Sequence, residues 1–351
     1  MQSTEQPIVF RVDGSHSLGL GHLVRSLNLA DTLRAELRKS GKQNPINFAV
    51  KPDSTTLAIL RKSQFSETTR LVSSDEDEVE SFAGIMGELS PRMVVVDIDL
   101  TDRGPEYLSL LDPQVVKVSL HEHNYGILPG DLVIAPTMRP LTVAPGGTER
   151  VTHFAGKDYI LLSPDIQKRR EKPAKPGEIV CIGFLSLGGA DPERFTMRAL
   201  GAIRAVGDRR INWHIVLGAA SEYDAKGLSR GFPGPFVFHA GGDMSRESFV
   251  ELLNAADVTI VNGGTTLYES LALGRPTVAV AQNDFEAAVI AQMAIIGACI
   301  EVEGTSSKAM THALGTLLGS PDMRLQIAQK GNRLIDGQGC ARVAKLIIDR
   351  L

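Results

Sequence analysis

The chain has 351 residues, 43% of them hydrophobic and 22% charged, which is too apolar for disorder and too long for one ordinary core, so two globular domains are expected. Its 41 acidic and 37 basic residues leave a formal net charge of -4, which excludes a broad positive field for nucleic acid or an anionic membrane and favours a small-molecule ligand. Cys181, Cys299 and Cys340 form no CxxC pair, the opening MQSTEQP has no leader pattern, and no apolar run would cross a bilayer. A soluble, cytoplasmic protein is the expectation.

In chain order, Pro7 to Val12 is expected as a strand, followed by a glycine-containing loop and a helix from His22 to Lys39. Strands at 46–50, 93–98, 115–120 and 131–135, with helices at 56–62 and 78–89, continue a parallel α/β domain. From Ala135 to Gly177 prolines and glycines break the periodicity, and the linker belongs there. The alternation restarts with strands at 179–187, 211–217, 236–240, 258–261 and 277–281 and helices at 192–205, 246–255, 265–273 and 284–296. Two Rossmann-like α/β domains, 1–156 and 157–351, are expected to face a central cleft, with ligands at the carboxyl ends of the parallel strands.

The first loop carries the sharpest chemistry. Gly19-Leu20-Gly21-His22 delivers a histidine to a helix amino terminus, where the dipole disfavours imidazolium and suits the ring to act as a general base. Val24 stands where a dinucleotide fingerprint needs glycine, and no phosphate-loop Lys-Ser or Lys-Thr pair follows, so neither NAD nor ATP is expected. Asp13 either orients the imidazole, holds a substrate hydroxyl or closes a turn; Arg11 shares its strand face.

In the second half, Asn262-Gly263-Gly264-Thr265-Thr266 joins a strand to a helix with free N–H groups and hydroxyls suited to a diphosphate. Glu269, one turn on, can accept bonds from two ribose hydroxyls, and a capping box with the threonines is the alternative. Gly188 and Gly189 form a second glycine turn before the N-cap candidate Asp191. His121 and His123 with Asp97 and Asp99 make a weak metal pattern without a third fixed ligand, and no metal is expected.

Phe10 to Gly14, Gly19 to His22 and Arg25 to Ala30 together resemble the signature of the UDP-2,4-diacetamido-2,4,6-trideoxy-β-L-altropyranose hydrolases of pseudaminic acid biosynthesis. Gly156 to Leu162, Gly188 to Pro192, Asn262 to Glu269 with Leu273 to Pro276, and Asp336 to Gly339 with Arg342 agree with it, so the likeness runs along almost the whole chain. Ser26, His121-Glu122-His123-Asn124 and Asn283-Asp284 depart from that family. The resemblance implies a GT-B-type fold and UDP held by the carboxyl-terminal domain. It further implies His22 as catalytic histidine, Glu269 as ribose-binding glutamate and a reaction without metal or cofactor. Arg11, Gly19, Gly21, Arg25, Met244 and Asn283 complete the expected substrate contacts.

Water attack at the anomeric carbon, with His22 taking the proton and UDP leaving, is therefore the expected reaction. The alternatives are a GT-B glycosyltransferase using the same UDP-sugar donor and a non-catalytic nucleotide-sugar binder.

Overall fold

The protein is described by a computed structural model covering residues 5–15, 19–73, 77–98, 107, 111–120, 130–139, 152–170, 179–189, 191 and 194–351. It divides into two compact units: Met1–Leu161 with Gln338–Leu351, and Leu162–Gly337.

The first unit is built on β1 (Ile8–Val12), β2 (Ile46–Val50), β3 (Thr69–Leu71), β4 (Met93–Asp97), β5 (Val116–Leu120), β6 (Leu132–Ala135) and β7 (Thr152–Ala155). These form one parallel sheet in the order β3-β2-β1-β4-β5-β6-β7. Both faces of its central strands are buried, which explains the nearly continuous apolar runs. On one face Ile8, Phe10, Val12, Met93 and Val95 pack with Leu23, Leu29, Leu33 and Leu37 of α1 (Gly21–Lys39). On the other, Val9, Val94 and Val96 pack with Phe82, Ile85 and Met86 of α3 (Glu78–Leu89). Between them in sequence lies α2 (Ser54–Arg61), capped by Asp53, whose Oδ1 accepts the Thr56 N–H at 2.9 Å.

The second unit opens with α4 (Pro164–Arg170) and contains β8 (Ile182–Ser186), α5 (Phe195–Val206), β9 (Asn212–Leu217), α6 (Ala225–Gly231), β10 (Phe236–Ala240) and α7 (Arg246–Ala255). It continues with β11 (Val258–Asn262), α8 (Thr265–Ala272), β12 (Thr277–Val280), α9 (Asp284–Ile296), β13 (Ile300–Glu301), α10 (Ser307–Gly319) and α11 (Pro321–Leu334). Its parallel sheet runs β10-β9-β8-β11-β12-β13. Trp213 of β9 lies flat against Gly183 of β8, where an added Cβ would come within 2.4 Å of the indole.

The expected boundaries, 1–156 and 157–351, need correction at both ends. The first unit keeps the chain to Leu161 and takes back α12 (Gly339–Ile348). The cause is an apolar stripe at helical spacing: Cys340, Val343, Ala344 and Ile347 are buried in the same core as α1. Gly339 closes on the Ile160 carbonyl oxygen, 2.1 Å from where a Cβ would stand, and the Arg342 Nη1 donates to the Asp158 carbonyl at 3.0 Å. Two of the segments that carried the family resemblance, 156–162 and 336–342, thus belong to the crossings between the units. The linker region also holds more structure than expected, since β7 and α4 fall within it.

Candidate functional site

In each sheet the strand order reverses once, between β1 and β4 in the first unit and between β8 and β11 in the second. Loops leave such a point in opposite directions and open a crevice at the strands' carboxyl ends, and the candidate residues gather at both places.

In the first unit, Asp97 ends β4 and shares the strand face of Met93 and Val95, so it points at α1. It is fully buried there. Its carboxylate accepts from Arg25 Nε at 2.8 Å, from Arg25 Nη2, from the Ser26 hydroxyl at 2.8 Å and from His22 Nδ1 at 2.7 Å. Burial by itself would raise the proton affinity of Asp97, but the charge of Arg25 and the bond from His22 outweigh it and hold the carboxyl well below the usual range. Because an ionised carboxylate only accepts, the neutral imidazole hydrogen-bonded to Asp97 carries its proton on Nδ1, and in that tautomer Nε2 is a hydrogen-bond acceptor. The His22 side chain keeps 25% of its surface exposed. Gly19, with φ of +80°, and Gly21 have no neighbour among the described residues within 4 Å of an added Cβ.

The carboxylate that orients the imidazole is therefore Asp97, and the alternative that Asp13 does so is corrected. Asp13 and Arg11 lie on the opposite strand face and bind each other. Arg11 is wholly buried and also donates to Glu78 at 2.8 Å and Tyr107 at 3.3 Å. Lys51 closes the cluster on Glu78 at 2.8 Å. The two terminal nitrogens of Arg11, expected among the substrate contacts, are engaged in this buried network, while its Nε has no partner among the described residues. Arg25, also expected to touch substrate, binds the Asp97 carboxylate through Nε and Nη2, with Nη2 also 3.1 Å from His22 Nδ1. His16 and the His121-Glu122-His123-Asn124 segment, with Asp99, lie outside the described residues.

The second unit presents a site of different construction. Gly188 follows β8 with φ of +87°, a conformation that disfavours a side chain, and an added Cβ would stand 3.2 Å from the Asn262 amide. Beneath that turn, a Cβ on Gly218 would come within 2.4 Å of both the Gly188 and Gly189 carbonyl oxygens. Gln282 Nε2 donates to the Leu187 carbonyl at 2.9 Å, so the loops after β8, β11 and β12 meet. Their common anchor is Glu286, which accepts from the Asn262 amide at 2.6 Å, from the Gln282 N–H at 2.9 Å and from the Gly263 N–H. Burial raises the proton affinity of this carboxyl.

Asn262 and Gly263 thus shape the cradle from behind. Gly263 abuts α9, with an added Cβ 2.7 Å from the Glu286 Cβ. Gly264 is the N-cap of α8 and no side chain caps that helix, so the alternative of a capping box between the threonines and Glu269 does not form. Gly264, Thr265 and Thr266 are only partly buried and offer the uncapped N–H groups of α8. Glu269 is 1% exposed and accepts from Arg246. Asn283 caps α9 by accepting the Glu286 N–H at 2.9 Å, and Met244 is a half-buried residue in the turn before α7.

Sequence reading missed the roles of Asp97, Glu286 and Arg246. For Asp97 a signal exists: its phase with Met93 and Val95 places it on the α1 face. For Arg246, nothing local points 23 residues ahead to Glu269.

No known family profile matches the chain. It is 26% identical over 349 residues to the spore coat polysaccharide biosynthesis protein SpsG of Bacillus subtilis, covering 96% of each. It is 22% identical to an uncharacterized protein of Methanocaldococcus jannaschii, of which it spans 56%. Among solved structures, MurG of Acinetobacter baumannii superposes with a TM-score of 0.64 at 14% identity, covering 98% of this chain and 99% of that one. The calicheamicin glycosyltransferase CalG4 gives 0.61 at 16%, covering 100% and 99%. The UDP-GlcNAc 2-epimerase of Neisseria meningitidis gives 0.63 at 13%, covering 97% and 100%. The fold is of the GT-B type. In GT-B terms the two parallel sheets are the paired Rossmann-like units, each with its own switch-point site.

Proposed function

We propose that this GT-B-type chain is an enzyme acting on a UDP-activated sugar, with the second unit holding the nucleotide diphosphate and the first supplying the base. The observation that carries the reading is the His22–Asp97 pair, 2.7 Å apart, with Arg25 and Ser26 fixing the carboxylate. In the reaction, an oxygen nucleophile attacks the anomeric carbon and its proton passes to His22 Nε2. The bond to the diphosphate breaks, and UDP leaves with the electron pair. A single displacement of this kind inverts the anomeric centre. The diphosphate is a good leaving group and is held at the uncapped α8 terminus through the negative charge it carries before as well as after the bond breaks, so no strong acid is needed.

Transfer of the sugar to an acceptor hydroxyl is the reading we favour. It is supported by the fold, shared with glycosyltransferases such as CalG4, and by the similarity to a protein named for polysaccharide biosynthesis. Hydrolysis of a UDP-2,4-diacetamido-2,4,6-trideoxy sugar is the second reading. It is favoured by the glycine-flanked His22 with Arg25 that resembles the hydrolase signature. An intact base argues against a purely binding role. Incubating the protein with a panel of UDP-sugars, with and without acceptor alcohols, separates these readings. UDP release that needs an acceptor supports transfer, and release with free inverted sugar in water alone supports hydrolysis. Binding of UDP-sugars with no release under either condition refutes the enzymatic reading.

A further inference from the structure

Glu269 is nearly completely buried at 1% exposure, and a carboxylate removed from water needs a partner to remain charged. Arg246, at the first position of α7, supplies it: Nη2 donates to Glu269 Oε1, while the guanidinium carbon lies 5.0 Å from the Phe249 ring centroid. The negative charge of Asp165 on α4 also acts on this arginine. Its side chain is 32% exposed, and its Nε has no partner among the described residues. It is thus held by a ring, by charge and by one end of its fork.

We propose that Arg246 is the positioning residue that keeps Glu269 ionised and aimed, so that the pair selects a ribonucleoside diphosphate over its 2′-deoxy counterpart. The inference rests on the nucleotide-sugar reading of the second unit. An ionised carboxylate has several lone pairs, so with one taken by Arg246 it still accepts from two adjacent ribose hydroxyls. A 2′-deoxyribose leaves one of those acceptor positions buried and unpaired, and sites built for a hydroxyl reject its absence strongly. Without Arg246 the buried carboxyl gains a proton and becomes a donor, and the preference for two hydroxyls collapses. The distinction has content for this fold, because its solved relatives include one complexed with thymidine diphosphate and one bound to UDP-GlcNAc.

Calorimetric titration of the full chain with UDP and with 2′-deoxy-UDP tests it. Wild type is expected to favour UDP by about tenfold or more. Arg246→Ala is expected to weaken UDP about tenfold, leave 2′-deoxy-UDP little changed, and make UDP affinity rise with pH. Arg246→Lys, which retains the charge, is expected to recover most of the preference, a recovery that general damage to α7 would not give. A properly folded Arg246→Ala protein with the wild-type preference overturns the inference while leaving nucleotide binding intact. Wild type that binds both nucleotides equally overturns the ribose role of Glu269 and the inference with it. Wild type that binds neither nucleotide overturns the UDP reading itself, and this inference falls with it.

Discussion

The two switch-point sites occupy equivalent places in their sheets and are made of opposite materials. In the first unit, charged side chains do the work: a buried carboxylate is neutralised by Arg25, and His22 hangs from it with one nitrogen open. In the second, the surface offered at Gly188, Gly189 and Gly264 is backbone, and the Glu286 carboxyl that anchors it lies behind. A group that must move a proton needs a tuned side chain. A group that must hold a diphosphate needs N–H donors and room, which glycines provide. The pairing teaches that one topology can supply either, depending on whether the strand ends on a charged residue, as β4 does at Asp97, or runs into a glycine turn, as β8 and β11 do.

The comparison breaks most visibly at His22. His22→Ala is expected to lower turnover by about 10²–10⁴ while UDP affinity stays near wild type, as read by steady-state kinetics beside calorimetry. Asp97→Asn comes next. It lowers turnover by about 10² through loss of the imidazole tautomer and leaves Arg25 buried without its counter-charge, at a cost of about 3 kcal/mol in denaturant unfolding. Because the Asp97 carboxyl is held below its usual range, the stability it brings is complete above the unfolded value of about 4 and is lost as pH falls through and below it. Acid titration of Asp97→Asn should therefore be the flatter of the two curves.

Gly264→Val sharpens the other side. The nearest described atoms to an added Cβ there are those of the Asn262 amide, at ordinary contact distance from 3.5 Å outward, so the fold is expected to be retained while a branched side chain stands at the uncapped end of α8. UDP affinity should fall about tenfold or more, with the single-turnover rate at saturating substrate little changed.

The smallest effect lies away from both sites. His214 and His239, on neighbouring strands β9 and β10, stack with Nδ1 and Nε2 3.0 Å apart, and burial lowers the proton affinity of both. A base depressed in the folded state destabilises it as pH falls through the unfolded value of about 6.5. Thermal unfolding should show a midpoint falling between pH 7 and 5, by less in His239→Gln than in wild type.

How much of this was legible in the sequence depends on how local each feature is. The helix expected at 284–296 and those at 246–255 and 78–89 coincide with the observed ones, because the signals that set them are local: Asn283 and Ser245 cap the first two from the preceding residue, and Phe82, Ile85 and Met86 give the third its apolar face. β3 escaped notice because it has three residues, and β7 because it is largely exposed and shows no alternation. His22 stood out through its flanking glycines. Its partner did not, since Asp13 is near in sequence and Asp97 lies 75 residues away, and only the sheet register brings the latter to α1. The glycines of the second unit were read as ligand contacts, but Gly263 is there for α9, a requirement visible only once Glu286 is in place.

The division of labour between the two sites is tested most directly by measuring, on His22→Ala and Gly264→Val together, the dissociation constant for UDP and the single-turnover rate of UDP release from its sugar conjugate at saturation. The account predicts that the histidine variant loses rate and keeps affinity, and that the glycine variant does the reverse. Matching losses of both quantities in both variants would contradict it.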